Sequence, residues 1–486
     1  MHGDDHVGLG ARLHGPWIWL VSAAVGTGLG ALLAKLVPGA VNTSGAAHMP
    51  LWLVAPFALL LASIALMPFV SERIWHRHFP DFSLGLGGFV LGYCLVGFPQ
   101  PDPSGHGTIG SHAVKHAFLE YYSFIALVCG VFVVSGGVLI RLKGKATPLL
   151  NVGLMAFGAV FANFVGTTGA SMLLLRPFMR VNKGRLRPIH IVMFIMIVSN
   201  CGGCLTPIGD PPLYLGFIKG VPFFWTLTHL WKEWLLVVGL LLAILFAIDT
   251  SFTRKERPGV AGNGANPKAS RFGFSIFGYP GLVFLALMIL GVFIDPFLNA
   301  QFGLEGFPYG ATFQLLVAAA AYFTADPRLH HCNRFSFFPA KEVGLLFLGI
   351  FLTMIPALGY LSQNGTSLGV DSPTAFYFLT GALSAVLDNA PTYVNFLQIA
   401  VGPVDISAAT IRELVSAEEG KLTLAAISTG SVFFGAMSYI GNGPNFMVRA
   451  IASRAGVRMP SFFGYIWLAI LILLPVLALN WLLLIR

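Results

Sequence analysis

Two aspartates carry most of the chemical potential of this sequence. Asp210 lies in SNCGGCLTPIGDPP, from Ser199 to Pro212, and Asp388 lies in LDNAPT, from Leu387 to Thr392; both stretches interrupt runs otherwise apolar enough for a bilayer. A carboxylate at the centre of a membrane helix costs about 2.5–3.5 kcal/mol on insertion scales, so one that persists is expected to ligate an ion or to titrate. Oxygen-bearing side chains accompany both: Asn389 and Thr392 follow Asp388, and Ser199, Asn200 and Thr206 precede Asp210. Asn163, Thr167, Thr168 and Ser171 occupy an earlier interrupted stretch, and Ser438, Asn442 and Asn445 a later one. Carboxylate, amide and hydroxyl oxygens suit hard cations. The expected site is therefore Na⁺ at Asp210, Asp388 and neighbouring carbonyls, with Na⁺ and H⁺ as candidate coupling ions and no further cofactor. Helix capping competes with ion binding for both carboxylates: Asp388 can cap the helix that follows it, and Asp210 the half-helix that opens with Pro211. Serine and threonine in membrane helices usually bond their own helix or a neighbour, so the weight rests on their coincidence with breaks in the chain.

The breaks are marked by Gly202, Gly203, Gly209, Pro211 and Pro212 around the first aspartate, by Pro391 beside the second, and by Gly441, Gly443 and Pro444 near the last group of amides. Backbone amides cannot stay unpaired in hydrocarbon, so such interruptions survive only where they are buried in protein or line a watery cavity. Half-helix ends then offer carbonyls to cations and amides to anions at the membrane midplane, as in a carrier's binding site.

Positioning these residues falls to membrane helices. The chain has 486 residues, 56% hydrophobic and only 10% charged, with a mean hydropathy of +0.77. That composition describes an all-α polytopic membrane protein whose principal partner is lipid. The net charge of +9 reports orientation rather than nucleic acid, because Lys and Arg gather in cytoplasmic loops. Apolar spans are expected near 17–37, 51–70, 84–99, 120–140, 232–252, 277–295, 310–324, 343–361 and 462–485, with four interrupted stretches at 148–180, 188–220, 373–400 and 421–455. Let 148–180 and 373–400 each enter and leave on one side as a re-entrant hairpin. Of the 29 lysines and arginines, all but Lys35, Lys115, Lys219, Lys232, Arg412, Lys421 and Arg486 then fall on the cytoplasmic side. The same order of three spans, hairpin, broken helix and final span occurs at 51–252 and again at 277–486, starting from opposite faces, which is an inverted repeat. About eleven transmembrane helices and two hairpins result. Residues 1–50 form an extra N-terminal helix and loop, and 253–276 a cytoplasmic linker; the N-terminus is cytoplasmic if the first helix is retained rather than cleaved as a signal peptide, and the C-terminus is external. The repeats align locally, TPIGDPPLYLGFIKGV (Thr206 to Val221) with SYIGNGPNFMVRAIASRAGV (Ser438 to Val457), and ANFVGTTGAS (Ala162 to Ser171) with LDNAPTYVN (Leu387 to Asn395).

At GGCLTPIGDPP (Gly202 to Pro212), LDNAPT (Leu387 to Thr392) and IGNGPN (Ile440 to Asn445) the chain resembles the ion transporter superfamily that contains arsenite permeases, D-type sodium/proton antiporters and citrate transporters. The resemblance runs over roughly residues 51 to 485. It implies a scaffold domain, a mobile transport domain of hairpins and broken helices working as an elevator, a homodimer, and a bacterial inner membrane. Dicarboxylate symporters of the superfamily carry Ser-Asn-Thr at each hairpin tip, whereas the tips here read Asn-Phe-Val-Gly-Thr-Thr and Asp-Asn-Ala-Pro-Thr.

Three functions compete. A sodium/proton antiporter needs a carboxylate for which proton and metal ion compete, and Asp210 and Asp388 supply it; this is the leading expectation. A cation- or proton-coupled symporter of citrate or another organic anion needs positive potential, for which the chain offers half-helix amides but only Arg176 near a hairpin. An intramembrane aspartyl hydrolase would use the two aspartates as a dyad sharing a proton, but Gly-x-Gly-Asp is absent. His112, His116 and Glu120 fall on one helix face and read as interfacial groups that could also bind metal or sense external pH. RLHHCNR (Arg328 to Arg334) reads as a basic loop and HLWKEW (His229 to Trp234) as an interfacial belt. The five cysteines, with Cys201 and Cys204 at redox spacing, read as inert buried thiols apart from Cys332, and no phosphate-binding loop suggests ATP drive.

Overall fold

The computed structural model describes residues 15–41, 47–102, 107–143, 147–255, 273–304, 306–333 and 335–486. Most of the expected linker (256–272), and Arg12 ahead of the first helix, lie outside the described residues. Among the described residues nine helices are long and apolar enough to cross a membrane, or ten if one bent pair counts as a span. The chain is an integral membrane protein. The nine include the first hairpin, Pro148–Val181; of the eleven expected, the span near 277–295 is the bent pair, and those near 310–324 and 421–455 are short helices, Tyr309–Thr324 (16 residues) and Glu418–Phe434 (17 residues).

The chain forms two compact units. The first comprises residues 1–125, 337–370 and 398–405. Its helix Pro16–Leu36 packs on Ala55–Gly97 so closely that a Cβ on Gly30 would stand 1.9 Å from the Phe89 carbonyl oxygen, and one on Gly92 2.0 Å from that of Thr27. Small residues permit that approach, the usual basis of helix association where lipid removes the hydrophobic drive. Ala55–Gly97 holds two spans separated at Ser71, whose φ of −161° and ψ of 103° leave the helical region. Phe338–Asn364 joins them through the Ser83 hydroxyl, which donates to the Leu345 carbonyl (2.7 Å). Tyr93, Phe98 and Leu53 form the buried centre.

The second unit comprises residues 126–336, 371–397 and 406–486. Pro148–Val181 is a hairpin: the side chains of Asn151 and Asn182 exchange hydrogen bonds of 2.9 and 2.8 Å, although a straight helix would hold them about 45 Å apart at 1.5 Å per residue. The reversal occurs at Gly166, with φ of 72° and ψ of 156°, a region essentially closed to residues with a Cβ. A second hairpin joins Pro373–Val386 to Asn389–Val401, and the rings of Phe376 and Phe396 meet at 6.3 Å across it. Each broken helix runs from a helix into a 3₁₀ turn, an extended step and a proline-led helix: Pro188–Ile197, Cys201–Leu205 and Pro211–Ile218 in one, Glu418–Phe434, Gly435–Met437 and Gly443–Arg454 in the other.

Two features depart from expectation. The span expected at 277–295 is a pair, Tyr279–Val292 and Ile294–Phe302, bent by 41°, and the Asp295 carboxylate accepts from the Gly310 amide (3.0 Å) just after the second member. The end of the linker pairs with a distant segment in a short antiparallel ribbon, Gly273–Phe277 against Leu139–Lys143, in which β-branched and aromatic residues favour a local strand.

Candidate functional site

The two broken helices share more than proline. Gly203-Cys-Leu-Thr-Pro-Ile-Gly-Asp and Gly435-Ala-Met-Ser-Tyr-Ile-Gly-Asn run in register, two residues before the alignment expected from sequence begins if counted from Cys204, three if counted from the glycine. Thr206 and Ser438 are both extended (φ/ψ −137°/155° and −140°/171°), as are Asp210 and Asn442 (−145°/144° and −154°/140°). The hydroxyl of Thr206 accepts from the Gly209 amide (3.2 Å), and that of Ser438 from the Gly441 amide (3.1 Å). A Cβ on Gly209 would lie 2.1 Å from the Gly203 carbonyl oxygen and one on Gly441 2.7 Å from that of Gly435. The glycines close the same loop twice.

The loops present Asp210 and Asn442 at equivalent N-cap positions, and neither side chain caps its own helix. The capping role open to Asp210 is not what the geometry adopts. Its carboxylate, 1% exposed, faces its neighbours instead. Thr167 Oγ1 and Asn442 Nδ2 donate to Asp210 Oδ1 at 2.7 and 2.8 Å, and Asn389 Nδ2 donates to Oδ2 at 2.7 Å. These partners are all neutral. Each of the four residues also begins a helix: Thr167 follows the Gly166 reversal, Asp210 precedes Pro211–Ile218, Asn389 opens Asn389–Val401, and Asn442 precedes Gly443–Arg454. Four helix N-termini therefore converge on one buried carboxylate. Each carries roughly half a positive charge, which favours negative charge nearby.

Most other expected site residues hold this frame together. Asn163 donates to the Gly202 carbonyl (2.7 Å) and accepts from the Leu205 amide (2.9 Å), while Thr206 donates to the Asn163 carbonyl (2.6 Å). Asn200 donates to Asn445 Oδ1 (2.7 Å), and Asn445 donates to the carbonyls of Gly435 and Ser438. Ser171 and Ser199 share a bond of 2.8 Å. Carbonyls freed by the breaks thus find amide and hydroxyl donors, as burial demands. Two buried acceptors are left over: Asn200 Oδ1 and Asn389 Oδ1 accept no hydrogen bond among the described residues. Both residues adjoin Gly435, where a Cβ would lie 3.3 Å from Asn200 Oδ1 and from Asn389 Nδ2.

Asp388 stands apart from the Asp210 cage. It is partly buried, its Oδ1 accepts from the Ala390 amide (3.0 Å), and its own carbonyl accepts from the Thr392 hydroxyl (2.9 Å). That is capping of the second hairpin arm, and Thr392 bonds within its own helix. The two aspartates share no hydrogen bond. Thr168 lines a narrow pocket with Gly166, Thr167, Asp210, Pro211, Tyr214 and the apolar face of Leu127–Phe132.

The sequence alone did not single out Gly166, Tyr214 or Trp234. Trp234, assigned to an interfacial belt, is partly buried and donates from Nε1 to the Gly202 carbonyl (2.8 Å) at the first break; Trp231, 48% exposed, fits the belt. Indole is the one apolar side chain that can also supply a lone donor, a signal visible in principle. Among the weaker motifs, His116 pairs with Glu120 (3.2 Å) and His112 with Asp102 (3.8 Å). Among the described residues no group of three or more such side chains could hold a metal ion. The stretch expected as a basic loop is instead a short helix, Pro327–Asn333, in which His330 packs on the rings of Tyr322 and Phe335 and Asn333 donates to the carbonyls of Gly136 and Val138. The cysteines are free, and Cys201 and Cys204 are buried.

Residues 46–485 match a family described as "Putative citrate transport". No curated protein matches the chain.

Proposed function

Since the chain belongs to this citrate-transport family and is a secondary transporter, we propose that it carries a citrate-like organic anion across the membrane together with a cation bound at Asp210. Na⁺ is the proposed cation, with a proton competing for the same carboxylate. The observation that carries this reading is the convergence of four helix N-termini on Asp210. Their amides supply positive potential without a lysine or arginine, which supports an anion substrate. The cation is supported by the carboxylate itself and by the buried acceptor oxygens of Asn200 and Asn389, hard ligands of the kind Na⁺ takes.

The remaining organisation follows the same reading. Two halves of opposite orientation, 51–252 and 277–486, would give alternating access to the site, with the N-terminus cytoplasmic, the C-terminus external and a homodimer as the working unit. Matching loops at Gly203–Asp210 and Gly435–Asn442 support the repeat.

A second reading, sodium/proton exchange with no organic cargo, is favoured by one observation: every group bonded to Asp210 is neutral, so proton and Na⁺ would compete there without interference. Reconstitution into proteoliposomes separates the two. Citrate uptake that requires an inward Na⁺ or H⁺ gradient supports symport; proton movement on adding Na⁺ without any citrate uptake assigns exchange. Absence of both rejects the proposal.

A further inference from the structure

A second buried polar cluster lies at the base of the first hairpin, away from its tip. Asn151, on the entering arm, donates to Asn182 Oδ1 (2.9 Å) and to Asp249 Oδ2 (2.8 Å). Asn182, just past the leaving arm, returns a bond to Asn151 Oδ1 (2.8 Å). Asp249, on the helix Trp231–Lys255, is fully buried; it also takes a hydrogen bond from the Arg185 guanidinium and lies 3.2 Å, at Oδ1, from His190 Nε2. His190 sits in the first turn of Pro188–Ile197, equally buried, and its Nδ1 accepts from the Arg187 amide (3.0 Å). One carboxylate thereby ties together both ends of the hairpin and the start of the first broken helix.

The bond from Arg187 fixes the state of the imidazole. A ring nitrogen that accepts a hydrogen bond carries no proton, so Nδ1 is bare and Nε2 is the nitrogen that donates to Asp249. His190 is therefore neutral in this geometry. The charged groups facing it are Asp249 from its neighbouring helix and Arg185 and Arg187 from the loop before it; Arg187 stacks on the Phe252 ring at 4.0 Å, and that ring meets the imidazole at 6.2 Å. Arg185 already balances Asp249. A further proton would leave uncompensated positive charge in a buried cluster.

We propose that this cluster is a proton-operated clamp on the base of the first hairpin, closed while His190 is neutral and released when it is protonated. The proton adds from solvent to Nδ1. Both ring nitrogens then donate, the Arg187 amide loses its acceptor, and the first turn of Pro188–Ile197 comes away from the loop that holds the leaving arm. Because the same hairpin presents Thr167 to Asp210 at its other end, release at the base reaches the ion site through the hairpin arms. The clamp is independent of what cargo is carried, and its failure would leave the assignment of Asp210 untouched.

The reporter is the Arg187 amide. Hydrogen exchange of the full chain in lipid nanodiscs, followed from about pH 8 to about pH 5.5 and corrected for intrinsic rates, should show protection at Arg187 and at the start of Pro188–Ile197 falling by about tenfold or more on acidification. In His190→Gln the side chain can still accept from Arg187 and donate to Asp249 but cannot titrate, so protection at Arg187 should stay high across the range. Wild-type protection that does not change with pH would overturn the proposal without any variant. So would an acid-induced loss of Arg187 protection of equal size in wild type and His190→Gln.

Discussion

The two broken helices use one backbone for two different side chains. From Gly203 to Asp210 and from Gly435 to Asn442 the turn, the extended step, the hydroxyl-to-amide bond and the close pair of glycines recur. At the last position the first repeat carries a carboxylate and the second an amide that donates to it at 2.8 Å. Backbone symmetry supplies the frame, and one departure from sequence symmetry supplies the charge. The hairpin tips divide in the same manner: Thr167 and Asn389 both reach Asp210, while Asp388, the residue beside Asn389, caps its own helix.

Breaking that asymmetry gives the largest expected effect. Asp210→Asn removes the only charge in the cage and should reduce gradient-driven uptake about a hundredfold or more, equivalent to ~2.7 kcal/mol. Size-exclusion chromatography of the purified variant should still give a folded, monodisperse protein. Asn442→Asp places a second carboxylate against the first and should cost at least about tenfold, since like charges at hydrogen-bond distance disfavour each other. The exchange of the two residues, Asp210→Asn with Asn442→Asp, should recover part of that loss relative to Asp210→Asn alone if a single charge shared between matched loops is what matters. Uptake in the double variant no better than in the worse single variant would show that the loops are not interchangeable.

Smaller effects sharpen the contrast between the tips. Thr167→Val removes one hydrogen bond to a charged acceptor, worth about 1.5–3 kcal/mol, so cation-dependent uptake should weaken about tenfold or more. Thr168→Val, next to it on the pocket wall, should change uptake far less. Asp388→Asn keeps a good N-cap and should alter stability by no more than about 0.5 kcal/mol, with uptake near wild type; a loss as deep as that of Asp210→Asn would return Asp388 to the ion site.

The membrane class, the two hairpins and the four breaks were legible because bilayer physics leaves few explanations for glycine, proline and carboxylate inside apolar runs. Asp210, Asn389 and Asn442 could be named for the same reason. What could not be read is which oxygens meet: Asn389 and Asn442 contact Asp210 from 179 and 232 residues away, and nothing in local spacing separates them from Asn163 or Asn445, which close loops instead. The 41° bend near Phe293 has a local cause in Pro296, which cannot donate to the Val292 carbonyl, but one proline in an apolar run does not reveal from sequence how far the helix turns. Asp249 was equally hidden, because a carboxylate near the end of an apolar span looks like a residue at the water boundary until the hairpin base folds over it.

The reading rests on an ionised Asp210, held beside helix N-termini, binding the travelling cation together with the acceptor oxygens of Asn200 and Asn389. Equilibrium binding of radiolabelled sodium to the purified protein, compared between wild type and Asp210→Asn over a range of pH, tests it most directly. Wild type should show saturable binding that acid displaces, and the variant none. Saturable binding of equal affinity in Asp210→Asn would contradict it.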